Sequence, residues 1–309
     1  MDASLDKQKT GLTAKALSHL VIEVDDLAVG GFYRDVLGFA PLGSDMIGNC
    51  GASVTLGAAN GGLLVLSRRD DRPDCSATGV HQAYAVGKAA RATIAAALKD
   101  RGITVHTYKE DRPAEEADNF YFADPVGNRV QIVARDDAAG RPPTLDHAAV
   151  QVANMWWAEV FYTQTLGCAV EHRVGWKTTD YARAQLWADG KEDMAPGTRR
   201  LDQRYSSIVN KKAMPRVNLQ IYLRMGAVPF AVYLANQHFQ EPPENMLAGT
   251  PRAGFSVTNE TLDNTARILD AARWPQHGPV LIGEGPIARA LYFKDPGGNF
   301  IELAVRREN

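Results

Sequence analysis

The chain repeats itself, and the repeat limits its fold more than any other feature. YFADPVGNRVQ at 121–131 returns as YFKDPGGNFIE at 292–302, so Asp124 and Asp295, and likewise Gln131 and Glu302, stand 171 positions apart. The same offset carries His81 onto Arg252. Each copy reads as strand, tight turn and strand, with Asp-Pro and Gly-Asn as turn formers, and each follows an apolar strand and an amphipathic helix. A second pair of copies alternates with these. SHLVIEVDDLAVGGFYRDVLGFAPL at 18–42 matches DHAAVQVANMWWAEVFYTQTLGCAV at 146–170, with His19 and His147 opening the two at the same point. Leu20, Ile22 and Val24 alternate as in a half-buried strand. Asp25 or Asp26, and Asn154 in the later copy, are candidate helix caps, and Gly38 is the natural stop after Leu37.

A fold built of such units is α+β: four modules, about 16–67, 78–134, 145–235 and 250–305, each a strand, a helix and further strands. The polar, Pro-containing stretch at 136–143 reads as the joint between an N-terminal pair, 1–140, and a C-terminal pair, 141–309. Module three is longer than the others. Its excess, about 188–215 and including DGKEDMAPGTRRLDQRY, is polar and reads as an inserted loop over a site.

Composition removes several function classes. Lys and Arg number 34 against 36 Asp and Glu, with no run of like charge, which argues against a nucleic-acid surface. No stretch approaches the ~20 apolar residues that cross a bilayer, and the first residues carry Asp and Lys where a signal peptide needs an apolar core. Cys50, Cys75 and Cys168 fit no disulfide or metal spacing. A cytoplasmic protein acting on a small molecule is the expectation. A Gly-rich phosphate loop and a GxSxG nucleophile motif are both missing.

With the modules laid out, the chain resembles the vicinal oxygen chelate superfamily, which holds glyoxalase I, the bleomycin-resistance proteins, fosfomycin-resistance enzymes and type I extradiol ring-cleaving dioxygenases. The resemblance rests on SHLVIEV…FYRDVLGF, LDHAAVQV…FYTQTLG and the two YF-x-DP-x-GN stretches, and its four-module length is most like the extradiol dioxygenases. It implies βαβββ modules in two pairs, each pair curled into a half-open barrel around a pocket, and a homo-oligomer. It also implies a C-terminal centre of two His and a carboxylate, a set that suits ferrous iron. The first His falls on His147, the carboxylate on Glu302, and a substrate-side tyrosine on Tyr292.

The second His position holds Arg252, whose guanidinium has no lone pair for a metal. Arg252 could instead pair with Glu302 or hold an anionic substrate, and His238 could supply a replacement imidazole. A weaker second set, His19, His81 and Gln131, occupies the corresponding positions of the N-terminal pair. Three functions follow as expectations. The first is an extradiol-type dioxygenase acting on a catechol-like substrate through Fe(II) or another divalent ion (Mn, Zn or Ni). The second is a glyoxalase-like lyase or isomerase. The third is a metal-free binding or resistance protein in which Arg252 neutralises Glu302.

Overall fold

A computed structural model of the chain describes residues 11–44, 46–47, 50–72, 80–107, 119–136, 142–152, 155–174, 220–234 and 252–307. The insertion at 188–215, His238, Asn154 and residues 137–141 of the joint lie outside the described residues.

Module one contributes β1 (Ala16–Val24), β2 (Ala40–Gly43), β3 (Ser53–Gly57) and β4 (Leu63–Arg68). Module two contributes β5 (His81–Val86), β6 (Asn119–Ala123) and β7 (Arg129–Ala134). Its missing strand is reduced, among the described residues, to a single bridge between His106 and Tyr121. Module three supplies β8 (Thr144–Val152), β9 (Ala169–Val174), β10 (Gln220–Met225) and β11 (Val228–Leu234). Module four supplies β12 (Arg252–Ser256), β13 (Gln276–Leu281), β14 (Ile287–Lys294) and β15 (Phe300–Arg306). The result is α+β: two mixed sheets of eight and seven strands, neither closed.

The pairing of modules differs from the order along the chain. One sheet runs β13-β14-β15-β12-β1-β4-β3-β2 and the other β6-β7-β5-β8-β11-β10-β9. Module one is therefore joined to module four, and module two to module three, where the stretch at 136–143 suggested one with two and three with four. The joints are antiparallel pairings of first strands, β1 on β12 and β5 on β8. β5 lies between β7 and β8, so the polar stretch that links these two strands joins two modules of one sheet. The chain then returns to complete the first sheet from its other end.

Consecutive modules are tied differently, through buried hydrogen bonds from helix to turn. Asp26 caps the first helical segment, its Oδ1 accepting from Ala28 N at 2.9 Å, and Gly38 ends it with φ 88°. Within that segment Tyr33 donates to Asp124 Oδ2 at 2.8 Å, and in module three Tyr162 donates to Asp295 Oδ2 at 2.9 Å. Both tyrosines lie in wide, π-type turns of their helices. Each aspartate also closes its own turn: Asp124 Oδ1 accepts from Val126 N and Asn128 N, and Asp295 Oδ1 from Gly297 N and Asn299 N. The Asn side chains reach back to backbone carbonyls, Asn128 to Glu23 at 3.1 Å and Asn299 to Gln151 at 2.8 Å. The DP-x-GN repeat is thus structural, a turn that docks one module on the helix and first strand of the module before it.

Alternation along the strands gives each sheet two faces. Leu20, Val24, Ile132, Val152, Ile301 and Leu303 point into one apolar cluster shared with the helices, around Tyr33, Ile94, Tyr162 and Leu269. Their odd-register neighbours, His19, Gln131, Gln151 and Glu302, fall on the far face, buried as well.

Two outcomes follow. Residues 1–140 produced alone should lack a cooperative unfolding transition, because β1 and β5 lose their antiparallel partners, whereas co-production with 141–309 should restore it; a fragment that melts like the whole chain contradicts the pairing. Tyr162→Phe should cost ~1–3 kcal/mol in urea unfolding by leaving the buried carboxylate short of a donor. Burial raises Asp295 to about 6, so it is charged at pH 8 and mostly protonated at pH 5. The penalty should therefore be larger at pH 8.

Candidate functional site

Strand register decides which side chains meet. On the far face of the first sheet, Val21 faces Arg252 and His19 faces Gly254 across the β1–β12 joint. Gly254 in turn neighbours Glu302 on β15. In the second sheet Ala83 faces His147 and His81 faces Ala149 across β5–β8, and Ala83 neighbours Gln131 on β7. The two joints are built alike. Each brings together two first-strand positions and two last-strand positions, one last-strand position being polar and the other apolar: Val65, beside Val21, in the first sheet and Ala231, beside Ala149, in the second.

The expected sets are regrouped accordingly. His147 and Glu302 stand in different sheets, and so do His19 and His81. The first sheet gathers His19, Arg252, Glu302 and Tyr292; the second gathers His81, Gln131 and His147.

The first centre is an ion pair. Arg252 Nε donates to Glu302 Oε2 at 2.6 Å, and His19 Nε2 lies 2.9 Å from the same oxygen, all three side chains being buried. Arg252 Nη2 reaches Cys50 Sγ at 3.7 Å, and its guanidinium lies 5.7 Å from the centre of the Tyr292 ring. Burial alone would raise the Glu302 pKa, but His19 and Arg252 outweigh it and hold the carboxyl at about 2. Burial pushes the Tyr292 hydroxyl up. The His19 ring lies flat over Gly254, where a Cβ would meet its Cε1 at 2.2 Å, so only glycine leaves room for this contact. With a guanidinium on the carboxylate oxygen that a metal would use, this donor set does not fit a metal ion. A small cleft borders it, lined in part by Tyr292 and Glu302.

The second centre has the donor chemistry that the first lacks. His81 Nε2 stands 3.1 Å from Gln131 Oε1, and the His81 and His147 rings are 5.5 Å apart. Asp146 Oδ2 lies 2.7 Å from His147 Nδ1, and Asp146 Oδ1 is paired with Arg135 at 2.9 Å. Burial works against the Asp146 charge, yet His147 and Arg135 hold it below the ordinary carboxylate range. A carboxylate on Nδ1 places the proton there and leaves the Nε2 lone pair for a ligand, the arrangement common behind metal-binding histidines. Tyr121 and Tyr233 flank His81, with ring centres at 5.4 and 5.6 Å. Among the described residues no three His, Cys, Asp or Glu side chains converge as metal ligands; the oxygen donor beside the two imidazoles is the Gln131 amide. Two imidazoles and an amide oxygen meet the usual minimum of three protein ligands.

Asp146, Tyr121 and Tyr233 escaped the sequence reading. Two signals were present: Asp146 precedes His147 directly, and Tyr121 stands 171 positions before Tyr292 in the repeated motif.

No family model matches the chain, and no curated protein matches it. Solved structures do. A "putative dioxygenase" from Bacillus subtilis superposes with a TM-score of 0.62 at 14% identity, over 96% of this chain and 87% of that one. Glyoxalase I from Zea mays superposes at 0.56 with 16% identity, over 94% and 92%, and a mutant of a Zea mays glyoxalase I at 0.59. The fold is that of the vicinal oxygen chelate superfamily. Among the described residues no helix is long and apolar enough to cross a membrane.

The Glu302 centre should make stability acid-sensitive. Its folded pKa lies below its ordinary value of 4.5, so its contribution is complete above pH 4.5 and lost as pH falls toward 2. The loss amounts to ~3 kcal/mol for a shift of this size, read from urea unfolding at successive pH values. Arg252→Met, which leaves the carboxylate buried and short of its charge partner, should cost ~3–5 kcal/mol at neutral pH. A cost under 1 kcal/mol would show that the pair contributes little.

Proposed function

We propose that the chain is a divalent-metal enzyme of the vicinal oxygen chelate type, working at the His81–Gln131–His147 centre as an extradiol-like dioxygenase on a small catechol-like substrate. The observation that carries this reading is the convergence of two imidazoles and one amide oxygen, with Asp146 fixing the tautomer of His147. The fourth register position is Ala231. His81, His147 and Gln131 would hold the ion by three protein donors and would leave it open to substrate and oxygen, a ligand set that suits iron oxygenases.

Bound there, a ferrous ion would supply Lewis acidity and redox capacity. The chain's own residues do the rest. His81, His147 and Gln131 hold the ion without adding negative charge, so an anionic substrate pair of oxygens is favoured. Tyr121 and Tyr233 flank His81 and are buried, so a phenolic hydroxyl there could donate to a substrate oxygen. The role expected of Tyr292 passes in this reading to Tyr121, its counterpart in the repeat. Glu302 and Arg252 take no part, and the His19 contribution to a metal set lapses because His19 stands in the other sheet, where Arg252 occupies the carboxylate oxygen it shares.

The glyoxalase-like reading rests on the likeness to maize glyoxalase I over nearly the whole chain. It needs a base to move a proton between carbons, and among the described residues Asp146, the carboxylate adjoining this centre, is already engaged by His147 and Arg135. Assembly into a homo-oligomer is also proposed, with Trp157, half exposed on the helix Met155–Val160, as a contact; light scattering tests it.

Metal analysis after anaerobic loading with Fe(II) is the decisive experiment. About one equivalent is expected in the wild type, with at least tenfold weaker retention in His81→Ala and His147→Ala, and unchanged retention in Arg252→Met. Oxygen uptake with catechol should follow metal content. Iron retained by both His variants would overturn the site, and iron bound without oxygen uptake would favour the lyase or isomerase reading.

A further inference from the structure

Asp146 and His147 are neighbours in the chain, and in a regular strand their side chains would point to opposite faces. A bulge brings them together. Across the β5–β8 joint His147 pairs with Ala83 and Leu145 with Tyr84, so Asp146 is the extra residue. A bulge re-aims the side chain it carries, and Asp146 Oδ2 comes to 2.7 Å from His147 Nδ1. The first sheet has the same bulge at Ser18, between Leu17 and His19, where a serine takes the place of the carboxylate.

The other oxygen of Asp146 is held as well. Arg135 follows β7, and its backbone N–H donates to Val86 O, at the end of β5, at 2.9 Å. Its guanidinium donates to Asp146 Oδ1 through both Nε, at 3.1 Å, and Nη2, at 2.9 Å. The next carboxylate, Asp136, is engaged by Lys88 at 2.7 Å. The repeat supplies a control. Arg306 stands 171 positions after Arg135, and with Ser18 at the bulge of its sheet it donates to the Gly61 carbonyl instead. A carboxylate held at one oxygen only can turn about its Cβ–Cγ bond, and charge-assisted bonds at the second oxygen remove that freedom. We propose that Arg135 is a positioning residue, acting through Asp146 to keep the His147 proton on Nδ1 and so leave the Nε2 lone pair for a ligand. This role belongs to the enzymatic reading and rests on it, because a fixed Nε2 lone pair matters only where that nitrogen takes a ligand.

Long-range proton–nitrogen NMR of the full, metal-free chain at pH 8.5, where imidazole is ordinarily neutral, reads the tautomer of His147 directly. The wild type should show the Nδ1–H form. Arg135→Gln should move a substantial part of the population to Nε2–H, Asp146→Ala should move more, and Arg135→Lys should recover the wild-type form. An exposed ion pair adds little stability, so the urea midpoint of Arg135→Gln should stay near that of the wild type. Loaded with Fe(II), Arg135→Gln should retain iron about tenfold less tightly, the lower end of the range for residues behind metal-binding histidines. A tautomer unchanged in Arg135→Gln would overturn the positioning role. So would a shift that Arg135→Lys leaves in place, or a shifted tautomer with unchanged iron retention. The tautomer is read without metal, so the two failures are separable: if it shifts as expected while even the wild type binds no iron, the enzymatic reading fails and the hold of Arg135 on His147 stands.

Discussion

Everything chemical in this protein depends on the antiparallel hydrogen bonding of first strands, β1 with β12 and β5 with β8. Each joint places two first-strand side chains diagonally across a pair of backbones and brings the last strands to either flank. A slip of one residue would turn His19, Arg252, His81 and His147 toward the helices and carry their apolar neighbours to the far face. The helix-side core prevents that slip. Leu20, Val24, Ala148 and Val152 are fully buried against aromatic residues from all four modules, and a slip would expose every one of them. Packing on one face of each sheet thus fixes the chemistry on the other.

The modules and the polar positions were legible in the sequence because both follow from local patterns: period-two alternation, helix caps and a turn with a fixed spelling. The partners of each polar position were not. His147 and Glu302 belong to matching places in modules three and four, and nothing within either module says which sheet it will join. That depends on long-range strand pairing, and the short joint at 136–143 looked like a boundary when it links two strands of one sheet that flank β5. The repeated Phe-Tyr at 32–33 and 161–162 held a further hint. Each tyrosine reaches the aspartate of the following module, so the DP-x-GN motif appears in modules two and four because the tyrosine lies in modules one and three.

The two joints began from one plan and hold opposite electrostatics. Around Glu302 a carboxylate, a guanidinium and an imidazole share a single oxygen in a buried place. Desolvating such charges is expensive, and their mutual attraction repays it only with close geometry, which the 2.6 and 2.9 Å contacts supply. Around His81 no carboxylate of the described residues faces the imidazoles directly. Asp146 stands behind His147, on the nitrogen a metal would not use, and Arg135 compensates its charge.

That contrast bears on why Arg252 matters more than its count as one lost ligand. An imidazole there would have shared Glu302 with His19 and left room for an ion; a guanidinium, charged at every ordinary pH, puts its own positive charge where the ion would sit. Coulomb repulsion and the occupied Oε2 act in the same direction, so the centre is closed to cations through charge as well as through geometry. The second joint has neutral donors, the Asp146 carboxylate behind them, and a buried guanidinium, Arg129, over the Tyr121 ring at 4.9 Å. A divalent ion held there would keep its charge for the substrate, and an anionic pair of oxygens would provide the neutralisation that the protein does not.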